Sequence, residues 1–231
     1  MPRIVTIIPA VDEEDAIGRV VAEVPPVVSE VIVVDNGSRD MTAEVARAAG
    51  ARVVREPRRG YGQACLAGIA AAGEADVVVF LDGDYSDYPA QVVHLLGPIL
   101  AGEADLVIGS RPLGRRDGGA QPWHAVVGTR LCVALMNALV GTRATDLGPF
   151  RAIRGKALRA LGMRDRSFGW TVEMQVKAHR RGLRVREVPV DYRRRIGRSK
   201  ISGTLSGSVR AGAKILGTIA RHAMDRAGSP T

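Results

Sequence analysis

Five short runs of branched apolar residues, separated by segments of helical pattern, constrain this chain more than any other feature. The runs are Ile4-Val5-Thr6-Ile7-Ile8, Val31-Ile32-Val33-Val34, Val53-Val54, Val77-Val78-Val79-Phe80-Leu81 and Leu106-Val107-Ile108. They have the near-continuous character of strands covered on both faces, as in a parallel α/β sheet. Between them, Glu13 to Val24 ends before Pro25-Pro26, Thr42 to Ala49 is stopped by Gly50, and the alanine-rich Gly62 to Ala72 is closed by Gly73. Each of the three reads as a helix. This alternation through residue 110 predicts a doubly wound, Rossmann-like sheet. Beyond it, residues 111–122 (RPLGRRDGGAQP) read as a loop of Gly, Pro and charge. Ala125–Val140, Lys156–Leu161 and Val172–Arg181 then read as helices, and Val185–Val190 as a strand. There is no internal repeat and no low-complexity tract.

Composition narrows the class. With 231 residues, 46% hydrophobic and 25% charged, the chain has the balance of one folded domain, and disorder along its whole length is excluded. Aromatics are only 4%, which argues against a single-strand nucleic-acid binder built on stacked rings. Cys65 and Cys132 are too few and too far apart for a disulfide framework or a cysteine zinc site, and both fall on apolar helix faces. His94, His124, His179 and His222 fit no metal-ligand spacing. The opening MPRIVTIIPA enters a strand directly, unlike a signal peptide, and no uninterrupted apolar run is long enough to span a membrane. A cytoplasmic protein is expected. The net charge of +9 conceals an asymmetry: residues 1–110 carry 8 Arg and Lys against 17 Asp and Glu, whereas residues 111–231 carry 25 against 7. One half is suited to holding a metal and the other to holding anions.

The sharpest motif is Phe80-Leu81-Asp82-Gly83-Asp84, an apolar strand ending in two carboxylates at i and i+2. Ligands of open α/β sheets sit at the carboxyl ends of strands. Two carboxylates there call for a neutralising cation, such as a hard divalent ion bridging to a diphosphate; the plainer alternative is a solvated acidic turn capping the next helix. Two further strand ends carry acids beside a helix start: Pro9-Ala10 leading into Asp12-Glu13-Glu14, and Asp35-Asn36-Gly37-Ser38 leading into Asp40-Met41-Thr42. A strand-end Asp35 can accept from the N–H of a nucleobase while Gly37 lets backbone come close; Asp40 and Thr42 serve equally as N-caps. Arg58-Arg59-Gly60-Tyr61-Gly62 adds a basic turn that opens a helix, suited to a phosphate or nucleoside.

Taken together, IIPA-x-D-E-E, VVDNGSRDMT, GYGQA, FLDGD and IGSR resemble the nucleotide-sugar domain of family 2 glycosyltransferases with the GT-A fold. Among these the chain is most similar to dolichyl- and polyprenyl-phosphate hexose synthases. The resemblance continues through Asp146-Leu147-Gly148-Pro149-Phe150-Arg151, Trp170-Thr171-Val172-Glu173 and the stretch from Arg194 to Ser202, so it covers residues 4–204. It departs from the family pattern at Val11-Asp12, where Leu-Asn is usual, and at Gly148-Pro149, in place of a more typical Ser/Cys-Gly. The first bears on nucleobase contacts and the second on acceptor-site geometry. What the resemblance implies is a mostly parallel sheet flanked by helices in a catalytic domain of residues 1–204. Its nucleotide-sugar half is 1–110 and its acceptor half 111–204. The nucleotide-sugar residues would be Pro9, Ala10, Asp12, Glu14, Asp35, Gly37, Arg59, Gly60, Gly62, Asp82, Gly83, Asp84, Arg111 and Glu173.

Departure of a nucleoside diphosphate builds negative charge on its β-phosphate. Asp84, with Asp82 assisting, would hold Mg²⁺ or Mn²⁺ against that charge. Arg111, Arg194, Arg195, Arg198, Ser199 and Lys200 would bind phosphates, with Gly197 folding a loop over them; the plainer reading of the basic run is a solvated surface. Asp146, Arg198 and Lys200 join Asp84 as expected catalytic residues. A hydroxyl acceptor would need Asp146 or Glu173 as general base, whereas a lipid phosphate is already ionised and needs cations instead. Glu173 binds a donor-sugar hydroxyl or pairs with an arginine. The expected partners are a UDP- or GDP-linked sugar and a polyprenyl phosphate, with an anionic membrane surface as a further candidate and no nucleic acid. A sugar or other hydroxyl acceptor is the alternative within enzymes, and a non-catalytic module binding anions or nucleic acid the alternative outside them. Finally, residues 205–231 form a tail whose segment from 205 to 222 sets Arg210, Lys214 and Arg221 opposite Leu205, Val209, Ile215, Leu216 and Ile219. This amphipathic helix packs on the core or lies on lipid.

Overall fold

The computed structural model describes residues 1–197 and 217–218. Apolar runs become strands wherever both faces find helices. β1 (Ile4–Ala10), β2 (Glu30–Asp35), β3 (Arg52–Arg55), β4 (Val77–Phe80) and β5 (Leu106–Ser110) appear at the five expected places, with β6 (Arg151–Arg154) and β7 (Val185–Pro189) completing one sheet. Its order is β3-β2-β1-β4-β6-β5-β7. β1 pairs in parallel with both β2 and β4, and β5 with β7, while β6 runs antiparallel to β4 and β5.

Period-2 alternation divides the core into two layers. On one face Ile4, Ile8, Val33 and Val79 meet Ile17 and Val20 of α1 (Glu14–Ala22), Ala46 of α2 (Thr42–Ala48) and Leu95, Leu96 and Ile99 of α4 (Val92–Leu100). On the other, Val5, Ile7, Ile32, Val34 and Phe80 meet Ala64 and Cys65 of α3 (Tyr61–Ala72), Leu158 and Leu161 of α6 (Gly155–Leu161), and Trp170 and Met174 of α7 (Trp170–Arg180). Between β5 and β6 lies α5 (Trp123–Val140), whose Cys132, Val133, Met136 and Val140 pack on Leu147 and on Val172 and Val176 of α7.

Two elements have no counterpart in the sequence reading. In α4, Gly97 and Pro98 interrupt the apolar pattern, although the helix forms around them. The strand β6 is only Arg-Ala-Ile-Arg, with no apolar run; its pairing partners, Phe80 and Ile108 opposite Arg151, come from β4 and β5. Arg151 is fully buried there, its guanidinium donating to the carbonyls of Leu147, Gly148 and Thr171. A third difference concerns α5. The reading from uninterrupted runs admits no membrane span, yet this 18-residue helix is long and apolar enough to cross a bilayer by length and composition, and only 22% of it is buried.

Candidate active site

The strand order reverses direction at β1, with β2 on one side and β4 on the other. At such a switch point the carboxyl ends of strands open a crevice. A cavity of about 230 Å³ lies there. Pro9, Ala10, Val11 and Glu13 line it from the end of β1, Asp82, Gly83 and Asp84 from the end of β4, and Asn36, Arg59, Gly60, Tyr61, Ala64, Phe168 and Arg195 complete it.

The acidic turn is electrostatically loaded. Asp84 is buried and accepts from the backbone N–H of Ser86 at 2.9 Å. Burial, then the charges of Asp84 and Asp87, push the carboxyl of Asp82 well above its ordinary value. Arg195 answers this charge directly, its guanidinium 3.1 Å from Asp84 Oδ2 and 3.2 Å from Glu13 Oε1. The chain around it is laid along the turn: Ile196 N–H donates to the Asp84 carbonyl and Arg193 N–H to that of Ser86. Buried, mutually repelling carboxylates with oxygen donors only suit a hard divalent cation. Among the described residues no three His, Cys, Asp or Glu side chains are grouped closely enough to enclose a metal. Protein ligands alone would therefore leave positions for a diphosphate, the usual arrangement for Mg²⁺.

Asp87 is the residue that sequence reasoning passed over. It is 1% exposed, and no side chain hydrogen-bonds its carboxylate. Burial pushes its carboxyl to about 7; Asp84 and Asp146 push the same way while Arg111 opposes them. Only its place three residues beyond Asp84 hinted at a role. Asn36, Tyr61 and Phe168 also line the cavity unannounced. Asn36 stood inside a quoted motif, and its amide donates to the carbonyls of Glu56 and Arg58 while its oxygen accepts from Gly60 N–H, so it shapes the basic turn.

Several expected ligands also have a place in the architecture. Asp12 Oδ1 accepts from Arg39 N–H and Glu14 Oε2 from Met41 N–H, which ties together the loops after β1 and β2, while Asp35 Oδ1 accepts from Ser38 N–H within the second loop. The Gly37 carbonyl accepts from the Arg59 guanidinium. Gly62 lies against the loop before α7: a Cβ there would stand 2.1 Å from the Asp165 carbonyl oxygen. Glu173 is the clearest correction. It lines neither cavity; it is 2% exposed, accepts from Arg164 N–H at 3.0 Å and Asp165 N–H at 2.7 Å, and pairs with Lys177. Its carboxylate thus shapes the loop that carries Phe168, because a buried charge binds the donors nearest to it. Arg194 donates to the Gly118 carbonyl. Arg198, Ser199, Lys200 and, apart from Gly217 and Thr218, the tail 205–231 lie outside the described residues.

A second cavity of about 250 Å³ is bordered by Arg111, Arg116, Thr129, Arg130, Thr145 and Asp146. Arg111 and Asp146 form a two-pronged pair, Nε to Oδ2 and Nη2 to Oδ1, each at 2.6 Å. Backbone N–H groups of Arg111 and Leu147 donate to the same carboxylate. Burial works to raise the Asp146 carboxyl, but the charge and hydrogen bonds of Arg111 hold it below its ordinary value.

Comparison with known proteins fits this geometry. The profile of glycosyl transferase family 2 matches residues 5–162. An uncharacterised glycosyltransferase of Mycobacterium tuberculosis is 39% identical over 208 residues, covering 89% of this chain and 93% of its own. The undecaprenyl-phosphate mannosyltransferase of Micrococcus luteus is 33% identical over 228 residues, 89% of this chain and 90% of its own. Among solved structures, glucosyl-3-phosphoglycerate synthase from Mycobacterium tuberculosis, in complex with Mn²⁺, UDP and glucosyl-3-phosphoglycerate, superposes with a TM-score of 0.78. It is 27% identical, and the match covers 96% of this chain and 80% of that one.

Proposed function

This chain belongs to glycosyl transferase family 2 with the GT-A fold, and from that premise we propose that it moves a hexose from a UDP- or GDP-linked donor to a polyprenyl phosphate, inverting the anomeric centre. The observation that carries the acceptor is the Arg111–Asp146 pair. Both Asp146 oxygens are engaged and its proton affinity is depressed, so it is a poor general base. Arg111, Arg116 and Arg130 instead offer cations at one cavity, which suits an acceptor that arrives ionised. Asp146 orients Arg111. The first cavity takes the donor, with Pro9, Ala10, Arg59 and Gly60 around the nucleoside and the acidic turn toward the diphosphate. Asp82 and Asp84 would hold Mg²⁺ or Mn²⁺, which when bound supplies Lewis-acid stabilisation to the leaving diphosphate. Arg195, now on Asp84, is within reach of the same charge. Support comes from the Mn²⁺ and UDP in the synthase complex and from the polyprenyl-phosphate acceptor in the mannosyltransferase's name.

One observation favours a hydroxyl acceptor instead: the synthase that superposes on this chain is crystallised with glucosyl-3-phosphoglycerate. The deciding experiment incubates the protein with Mn²⁺ and a panel of UDP- and GDP-sugars. A short polyprenyl phosphate is offered in parallel with the corresponding alcohol and with 3-phosphoglycerate. A glycosylated polyprenyl phosphate is the expected product; transfer confined to a hydroxyl acceptor would overturn the reading.

A further inference from the structure

Helix α5 has an outward face that water does not explain. Its sequence, WHAVVGTRLCVALMNALV, contains no acidic residue and one arginine. Trp123, Val127 and Leu131 repeat every fourth residue and form a single stripe, exposed by 78%, 56% and 56%, with Leu139 exposed near the helix end and Leu113 on the preceding loop. A helix that packs one side on its protein ordinarily turns polar residues to solvent. A contiguous exposed apolar stripe marks an interaction surface.

The stripe is joined to the arginine cavity by the helix itself. Val126, Thr129 and Arg130 of α5 border that cavity together with Arg111 and Arg116. At 100° per residue Arg130 stands ~20° from Trp123, on the flank between the outer stripe and the inner face. From Arg111 to Thr145 the chain carries five arginines and a single acid, Asp117. Apolar stripe and cationic rim thus lie side by side.

We propose that α5 docks this protein on an anionic lipid surface, with Trp123, Val127 and Leu131 entering the headgroup region and Arg116 and Arg130 meeting lipid phosphates. Charge selects this occupant over a second copy of the chain: a two-fold contact through the same face would set one arginine rim against another. The docking deepens the proposed function and rests on it for purpose, since it brings the arginine cavity to the depth at which a lipid-borne phosphate lies. It also differs from the amphipathic tail considered above, because the face belongs to α5.

The molecule supplies its own probe. It has two tryptophans, Trp123, largely exposed, and Trp170, fully buried, so a change in emission on adding vesicles reports Trp123. With the full chain, vesicles of phosphatidylcholine containing phosphatidylglycerol should shift the emission to the blue and co-sediment the protein, and added salt should weaken both. Pure phosphatidylcholine should do so weakly. The double variant Val127→Ser, Leu131→Ser keeps the reporter, and its affinity for the anionic vesicles should fall roughly tenfold or more. Its melting temperature and its turnover of a short, water-soluble polyprenyl phosphate should stay unchanged. Absence of a blue shift in the unmodified protein overturns the proposal, and so does unaltered vesicle affinity in the variant. A concentration-dependent dimer that the variant abolishes would assign the face to a second copy instead. Vesicle binding without transfer to polyprenyl phosphate would fault the acceptor reading alone; transfer without the blue shift would fault the docking alone.

Discussion

Replacing Asp87 by Asn should stabilise the fold at neutral and alkaline pH. The native carboxyl, 1% exposed and without a side-chain hydrogen-bond partner, is pushed by burial to about 7 from an ordinary 3.8. A raised value in the fold means that the native state binds the proton more tightly than the unfolded chain. Stability therefore falls as pH rises from about 4 to about 7, and the full penalty stands above that range. The displacement corresponds to ~4 kcal/mol. Asp82, raised by the same neighbours, shares the proton uptake, so the part removed with Asp87 alone is ~2 kcal/mol. Asn copies the shape of the neutral acid and carries no charge at any pH. Urea unfolding of both proteins without divalent metal, at pH 4.5 and pH 8.5, checks this. The curves should nearly coincide at the lower pH and separate in favour of Asn at the higher, equivalent to a rise of ~4–8 °C in melting temperature. Equal stabilities at pH 8.5, or a less stable variant there, would refute the reasoning, because Asp87 would then be a carboxylate that the fold accommodates.

Asp84→Asn should leave the melting temperature of the ligand-free protein within a few degrees yet abolish the thermal stabilisation that UDP or GDP gives only with Mn²⁺; persistence of that stabilisation would remove the metal from this turn. Asp146→Ala should cost about 3–5 kcal/mol in urea unfolding, since it leaves Arg111 buried and unpaired. The contribution of Asp146 is also pH-dependent in the opposite sense to that of Asp87: its lowered carboxyl gives stability that is present above pH ~4 and lost on further acidification. Gly62→Ala would place a Cβ 2.1 Å from the Asp165 carbonyl, costing about 1–3 kcal/mol and moving the loop that carries Phe168; a raised KM for the donor with a smaller change in kcat is the expected kinetic signature.

Local chemistry was enough to place the parallel strands and the acidic turn. A Val/Ile run buried on both faces looks the same wherever it sits in the sheet, and Asp82-Gly83-Asp84 follows such a run at a strand's carboxyl end, so the run and the motif together point to the mouth of the first cavity. Pro9, Ala10, Arg59, Gly60, Gly83 and Arg195, named through the family resemblance, all line the first cavity. What the sequence could not show was which carboxylates remain available. Asp12, Glu14 and Asp35 each give one oxygen to a backbone N–H of the loop after β2, and Glu173 looks like a ligand until the loop at 164–165 folds over it. Conversely, Asp87 resembles any turn acid until burial raises it. The same holds for β6, whose Arg-Ala-Ile-Arg becomes a strand because β4 and β5 flank it, and for the outward face of α5, which composition cannot distinguish from its inward one. Sequence by itself determined the parallel strands, the acidic turn at the carboxyl end of β4 and the division of charge. Tertiary structure decided the partner of each charge, because desolvation and hydrogen bonding depend on neighbours that lie far apart along the chain.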